Sequence, residues 1–142
     1  MIQETKFRRK SQIEIQGYRS FSTVRGDSGG GLLISCISSL NPVLIFEGDS
    51  ECEILVIQVH INDQKTIRFI TGYGPQECAP LIVREKYRST MEEHIERAQL
   101  SGCSVIVTDD ANAKLGSEII SGAPNPISEN GKLLRGIVQR QS

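Results

Sequence analysis

No sign of charge predominates in this sequence: 16 lysines and arginines face 17 aspartates and glutamates, a formal net charge of -1. No strong basic field therefore advertises nucleic acid, although a local contact with it stays open. Cysteine is sparse and scattered. Cys36, Cys52, Cys78 and Cys103 form no C-x-x-C pair, and only His60 and His94 could complete a ligand set, which argues against a structural zinc site. Four reduced thiols, several of them buried as small hydrophobes, are expected in an intracellular protein, nuclear or cytoplasmic and not secreted. The polar and basic run from Gln3 to Lys10 leaves no apolar h-region, so no signal peptide is visible. No apolar run approaches the length of a membrane span, and no membrane association is expected. Low-complexity segments and internal repeats are missing too. What remains is an ordinary globular balance, 38% hydrophobic and 23% charged, in 142 residues, enough for one domain and too few for two.

The order of apolar periods suggests strands with a few helices. Ile13, Ile15, Tyr18, Phe21 and Val24 fit one or two short strands around Gly17, and Gly29-Gly30-Gly31 leads into a buried strand at Leu32-Leu33-Ile34. Asn41-Pro42 turns the chain into a short strand over Val43 to Phe46. Ile54 to Ile61 and Thr66 to Tyr73 form a hairpin about Asn62-Asp63, with Ile67, Phe69, Thr71 and Tyr73 on one face. From Pro80 the period becomes helical, with a stripe of Val83, Tyr87, Met91, Ile95 and Ala98 that Gly102 ends. Val105-Ile106-Val107 reads as a buried strand that runs into Thr108-Asp109-Asp110. After a Gly/Pro-rich loop from Gly116 to Pro126, Asn130 to Gln139 has helical spacing. Such an order specifies an α/β (α+β) sandwich, strands in hairpins with one strand-helix-strand crossover.

Two segments can carry chemistry. In VIVTDDANAKLG, residues 105–116, an apolar strand delivers Asp110 and Asn112 just past its end. If the chain stays extended there, their i, i+2 spacing points both side chains the same way. A carboxylate can take a proton from water while an amide holds that water or a phosphoryl oxygen, a pairing that suits phosphodiester hydrolysis. The same residues are also what a polar turn uses. In Ile2-Gln3-Glu4-Thr5-Lys6, a glutamate at a strand end can be the hard oxygen ligand that Mg²⁺ prefers, or simply a solvated charge.

Taken together with the segments between them, these motifs resemble the endonuclease/exonuclease/phosphatase superfamily, in particular the apurinic-endonuclease-like domain of non-LTR retrotransposons. IQETK at 2–6 looks like that family's metal-ligand motif Leu-Gln-Glu-Thr, and GGGLLIS at 29–35 is similar to its Gly-Gly strand. TGYGP at 71–75 resembles its Asn/Val-x-Tyr-x-Pro segment, VIVTDDANA at 105–113 its Gly-Asp-x-Asn-Ala segment, and SENGKLL at 128–134 its Asn-Gly-x-x-Leu helix start. All five occur in the family's order.

The resemblance implies a four-layer sandwich of two mixed sheets flanked by helices, truncated in this chain, with residues 1–142 as a single, incomplete domain. It implies a Mg²⁺- (or Mn²⁺-) dependent DNA endonuclease that nicks target DNA, with Glu4 as metal ligand and a catalytic set of Glu4, Tyr73, Asp110 and Asn112. Tyr73 takes the place of a phosphate-contacting tyrosine whose phenol can donate to developing charge. The nick's 3′-hydroxyl would prime a reverse transcriptase domain on the full-length polypeptide. Three departures weaken this. A first strand bearing an asparagine and a closing Ser-Asp-His motif are not found, and neither His60, in a strand, nor His94, on a charged helix face, sits at a matching position, both being read as structural or solvated. Asp109 stands where the family has glycine, and its charge beside Asp110 is expected to crowd the turn and raise a carboxylate's pKa. The chain alone is therefore expected to be a weak or dead catalyst. Missing strands are expected to leave apolar edges exposed and solubility poor. A non-catalytic remnant of a decayed retroelement, or a phosphatase of the same superfamily, are the alternatives.

Other short matches lose on context. Gly26-Asp27-Ser28-Gly29-Gly30 resembles the surround of a trypsin-like nucleophile, but both histidines follow Ser28. Arg25-Gly26-Asp27 as an integrin ligand needs secretion, and Asp110 to Gly116 does not satisfy an EF-hand loop. Lys6, Arg8, Arg9 and Lys10 could touch DNA phosphate or form a solvated loop.

Overall fold

A computed structural model describes residues 1–6, 13–24, 30–114 and 126–140. Its strands are β1 (Ile2–Gln3), β2 (Tyr18–Ser22), β3 (Leu32–Ile37), β4 (Val43–Glu47), β5 (Ile54–Asn62), β6 (Lys65–Tyr73) and β7 (Ser104–Asp110). Two α-helices, α1 (Leu81–Leu100) and α2 (Glu129–Arg140), and a short 3-10 turn, Ser38–Leu40, complete the described elements. The strands form an antiparallel sheet of order β1-β3-β2 and a mixed sheet of order β4-β5-β6-β7, in which β6 and β7 run parallel around α1. This is the α+β two-sheet sandwich expected, with a strand-helix-strand crossover in its usual place.

Period-two alternation builds the core in two layers. Leu55, Ile57 and Val59 of β5 meet Phe21, Leu32 and Ile34 between the sheets, with Phe69 and Tyr73 packed against them. The opposite faces of β5 and β6 send Ile54, Val56 and Ile70 against Tyr87, Met91 and Ile95 of α1. The smaller sheet, the larger sheet and the helices thus make three layers. No helix covers the outer face of the smaller sheet among the described residues.

Local chemistry sets the turns. Asn62 Oδ1 accepts from the Gln64 amide (3.0 Å) and closes the hairpin. At the end of α1, Gly102 adopts φ +74 and the Cys103 amide reaches back to the Ala98 carbonyl (2.9 Å), the glycine stop the sequence calls for. Ser128 Oγ accepts from the Gly131 amide (3.1 Å) and caps α2.

Several expectations change. Val105-Ile106-Val107 is not a buried strand: Ile106 and Val107 are each 42% exposed, because β7 is an edge of its sheet. β4, the other edge, exposes Val43, Leu44 and Ile45. The segment around Gly17 forms one strand, β2, within the one or two expected. Of the four free cysteines, Cys52 alone is buried. The Gly26–Gly29, Arg8–Lys10 and most of the Gly116–Pro126 readings fall outside the described residues. No described helix is long and apolar enough to cross a membrane.

Candidate functional site

β6 and β7 end side by side, with Tyr73 and Asp110 as register partners. β1 crosses near these ends. Gln3 Nε2 donates to the Gly72 carbonyl (2.8 Å) and, more weakly, to the Thr108 carbonyl (3.4 Å), so one side chain ties the smaller sheet to both strand ends. Gly31 permits this closeness, since a Cβ there would lie 2.6 Å from Thr5 Oγ1 and 3.0 Å from the Thr23 carbonyl oxygen.

Glu4 follows directly from β1, and its Oε1 accepts the Tyr73 hydroxyl at 2.7 Å across 69 residues of sequence. No other protein partner of the Glu4 carboxylate occurs among the described residues. The bond to Glu4, burial and the nearby Glu4 and Asp110 charges raise the Tyr73 pKa, while a hydrogen bond with the Asn112 side chain draws it back. Tyr73 thus stays a neutral donor at physiological pH. Glu4, Tyr73, Asp110 and Asn112 therefore converge on one edge of the molecule, fed by three strands.

Asp110 and Asn112 do not meet through an extended chain, as their spacing suggested. β7 ends at Asp110, and Asn112 adopts φ +45, in the left-handed region that asparagine tolerates. Asp110 Oδ1 accepts the Asn112 amide at 3.2 Å, and Asn112 Nδ2 donates to the Gly74 carbonyl at 2.8 Å. Gly74 in turn donates its amide to the Asp110 carbonyl (2.7 Å). With one amide hydrogen committed to the Gly74 carbonyl, Asn112 keeps its side-chain oxygen to accept from water. Glu4 also lies in the left-handed region, at φ +52, where a glutamate is strained. Two of the four non-glycine positive-φ residues described are thus at this edge.

Asp109 points the other way, as alternation requires. It accepts the Tyr87 hydroxyl at 2.5 Å, beneath Gly72, where a Cβ would sit 2.0 Å from the Tyr87 oxygen. A cavity of about 30 Å³ adjoins it, bounded by Arg84, Arg88, Asn130 and Leu134 among others. Burial raises the Asp109 pKa from 3.8 to about 6, Tyr87 partly opposes this, and the Asp110 charge adds to it. The crowding expected between the two aspartates is relieved by their facing opposite sides, so desolvation outweighs like charge.

The described residues hold no cluster of three or more His, Cys, Asp or Glu side chains that could enclose an ion. Mg²⁺ commonly takes one or two carboxylates and fills the rest of its shell with water and substrate phosphate. Glu4, with Asp110 beside the same tyrosine, fits that mode rather than a closed cage. The histidines lie elsewhere. His60 hydrogen-bonds Thr66 (2.9 Å) and Gln58 (3.3 Å) at the exposed end of β5, while His94 is buried against Phe46, ring centroids 4.4 Å apart, instead of on a charged face.

Two residues with a bearing on the site were not picked out by the sequence. Asn130 is 7% exposed, and its Nδ2 donates to the Pro75 carbonyl (2.9 Å) and the Asn112 carbonyl (3.2 Å). Glu77 Oε1 accepts the Glu129 amide (2.7 Å) at the start of α2. The Asn-Gly-x-x-Leu resemblance at 128–134 marked Asn130 as part of a helix start, but not as a residue of the site. No protein-family model matches the chain, and no curated protein matches it.

Proposed function

We propose that this chain is a divalent-metal-dependent DNA endonuclease of the endonuclease/exonuclease/phosphatase type, cutting phosphodiester bonds at the edge where β1, β6 and β7 end. The observation that carries this reading is the Tyr73–Glu4 hydrogen bond, with Asp110 the register partner of Tyr73 and Asn112 bonded to the adjacent Gly74. Motifs far apart in sequence meet at one edge, which supports a shared site.

Glu4 is the residue that would hold Mg²⁺ or Mn²⁺, and Tyr73 fixes its rotamer through the shared hydrogen bond. A bound ion would neutralise charge on the phosphoryl oxygens and the leaving oxygen. Asn112 Oδ1 accepts a hydrogen of the attacking water and aims it at phosphorus. Asp110, exposed and beside it, takes the water's proton as the new P–O bond forms. The P–O3′ bond breaks, leaving a 3′-hydroxyl of the kind a reverse transcriptase domain could extend. No histidine stands at this edge among the described residues, so protonation of the leaving oxygen falls to water and the chain alone is a slow catalyst. That same feature favours the second reading, a non-catalytic remnant that keeps the geometry but only binds DNA.

The test is Mg²⁺-dependent nicking of supercoiled plasmid by the chain, Glu4→Ala and Asp110→Ala. Loss of about 10²-fold or more in each variant is expected. Undiminished nicking in both removes the site assignment. Binding without nicking in all three supports the remnant, and hydrolysis of a phosphomonoester instead would point to a phosphatase.

A further inference from the structure

We propose that Asn130 is a positioning residue of this site: its buried amide, shared between the Pro75 and Asn112 carbonyls, holds the left-handed Asn112 against Gly74. Asn112 departs from the extended backbone of β7, and its side chain reaches the Gly74 carbonyl only from that departure. A left-handed residue relaxes unless its surroundings hold it. The group on the far side of its peptide is the Asn130 amide, 3.2 Å from the Asn112 carbonyl. The same nitrogen grips Pro75, the residue after Gly74, at 2.9 Å. One side chain therefore sets the distance between the loop after β6 and the loop after β7.

The start of α2 is built to hold Asn130 there. Ser128 exchanges hydrogen bonds with Lys114, amide to carbonyl at 3.0 Å and the Lys114 amide to Ser128 Oγ at 3.0 Å. Glu77 receives the Glu129 amide. Gly131 lets the helix sit directly on the second loop, for a Cβ there would lie 2.0 Å from the Lys114 carbonyl oxygen. This clamp does not touch the reacting atoms. It acts through Asn112.

Its activity arm rests on the nuclease reading above, whereas a spectroscopic arm does not. With ¹³C- and ¹⁵N-labelled protein, the Asn112 backbone chemical shifts, which report its left-handed conformation, are followed by NMR in the whole chain, in Asn130→Ala and in Ile137→Ala, a core change farther along α2. Asn130→Ala is expected to release Asn112 and move these shifts out of the left-handed range, with Ile137→Ala leaving them in place. On plasmid with Mg²⁺, Asn130→Ala should lower kcat by about 10- to 100-fold with KM little changed. Asn112 shifts that stay in the left-handed range in Asn130→Ala overturn the proposal. A wild-type chain that never nicks would sink the nuclease reading while the Asn112 shifts still decide the role of Asn130. Should Asn130→Ala not fold, couplings across the hydrogen bonds from Asn130 Nδ2 to the Pro75 and Asn112 carbonyls in the wild type decide it, and their absence is refuting.

Discussion

Replacing Asp109 by asparagine should stabilise this protein, and the effect should depend on pH in a defined way. Asp109 has a pKa of about 6 in the folded chain against 3.8 in the unfolded one. As pH rises from about 4 to 6, the unfolded state gives up this proton first, so the stability held below that window is lost across it. A difference near two pKa units corresponds to about 3 kcal/mol at pH 7.5. Asparagine keeps an oxygen to accept the Tyr87 hydroxyl and carries no charge to desolvate. Asp109→Asn should therefore match the wild type near pH 4 and exceed it by up to about 3 kcal/mol above pH 7. Urea titrations of both proteins at several pH values measure the difference directly and cancel every other titrating group. Two curves that run parallel from pH 4 to 8 would refute the reasoning, because they would mean that Asp109 ionises in the folded protein as it does in water.

Other outcomes follow from single contacts. Glu4→Gly removes a strained side chain at φ +52, so unfolding free energy should rise by about 1 kcal/mol, even though the candidate metal ligand is lost. Gly72→Ala should cost more than about 2 kcal/mol in denaturant titration, since its Cβ would meet the Tyr87 oxygen at 2.0 Å in a packed interior. Ile106→Lys, on the open edge of β7, should suppress concentration-dependent association on size-exclusion chromatography without lowering the melting midpoint.

Much of the fold was legible because strong periodicity marked it. The β5–β6 hairpin, α1 with its glycine stop and the crossover to β7 all carry apolar spacing or turn residues that admit one reading. The burial of β7 was misjudged because an apolar triplet looks the same in the middle of a sheet and at its edge. Within the site, residue types were readable and their geometry was not. Asp110 and Asn112 have the right chemistry, but the left-handed turn that unites them depends on Asn130, 18 residues away. His94 resembled a surface residue because charged neighbours hide a buried position that faces Phe46. The direction of Asp109 follows from strand alternation, yet its high pKa required knowing that Tyr87 lay beneath it.

Glu4 reaches its place on a two-residue strand, fastened by its pairing with β3, by the Thr5 and Lys6 amides on the Gly31 and Gly30 carbonyls, by Tyr73 and by the reach of Gln3 to two carbonyls. So few ties let a segment detach long before the sheets beneath it come apart. Whatever grips the Glu4 carboxylate must then also supply the free energy that keeps this first segment docked. Slowed amide exchange at Thr5 and Lys6 on addition of a cation would report that docking directly.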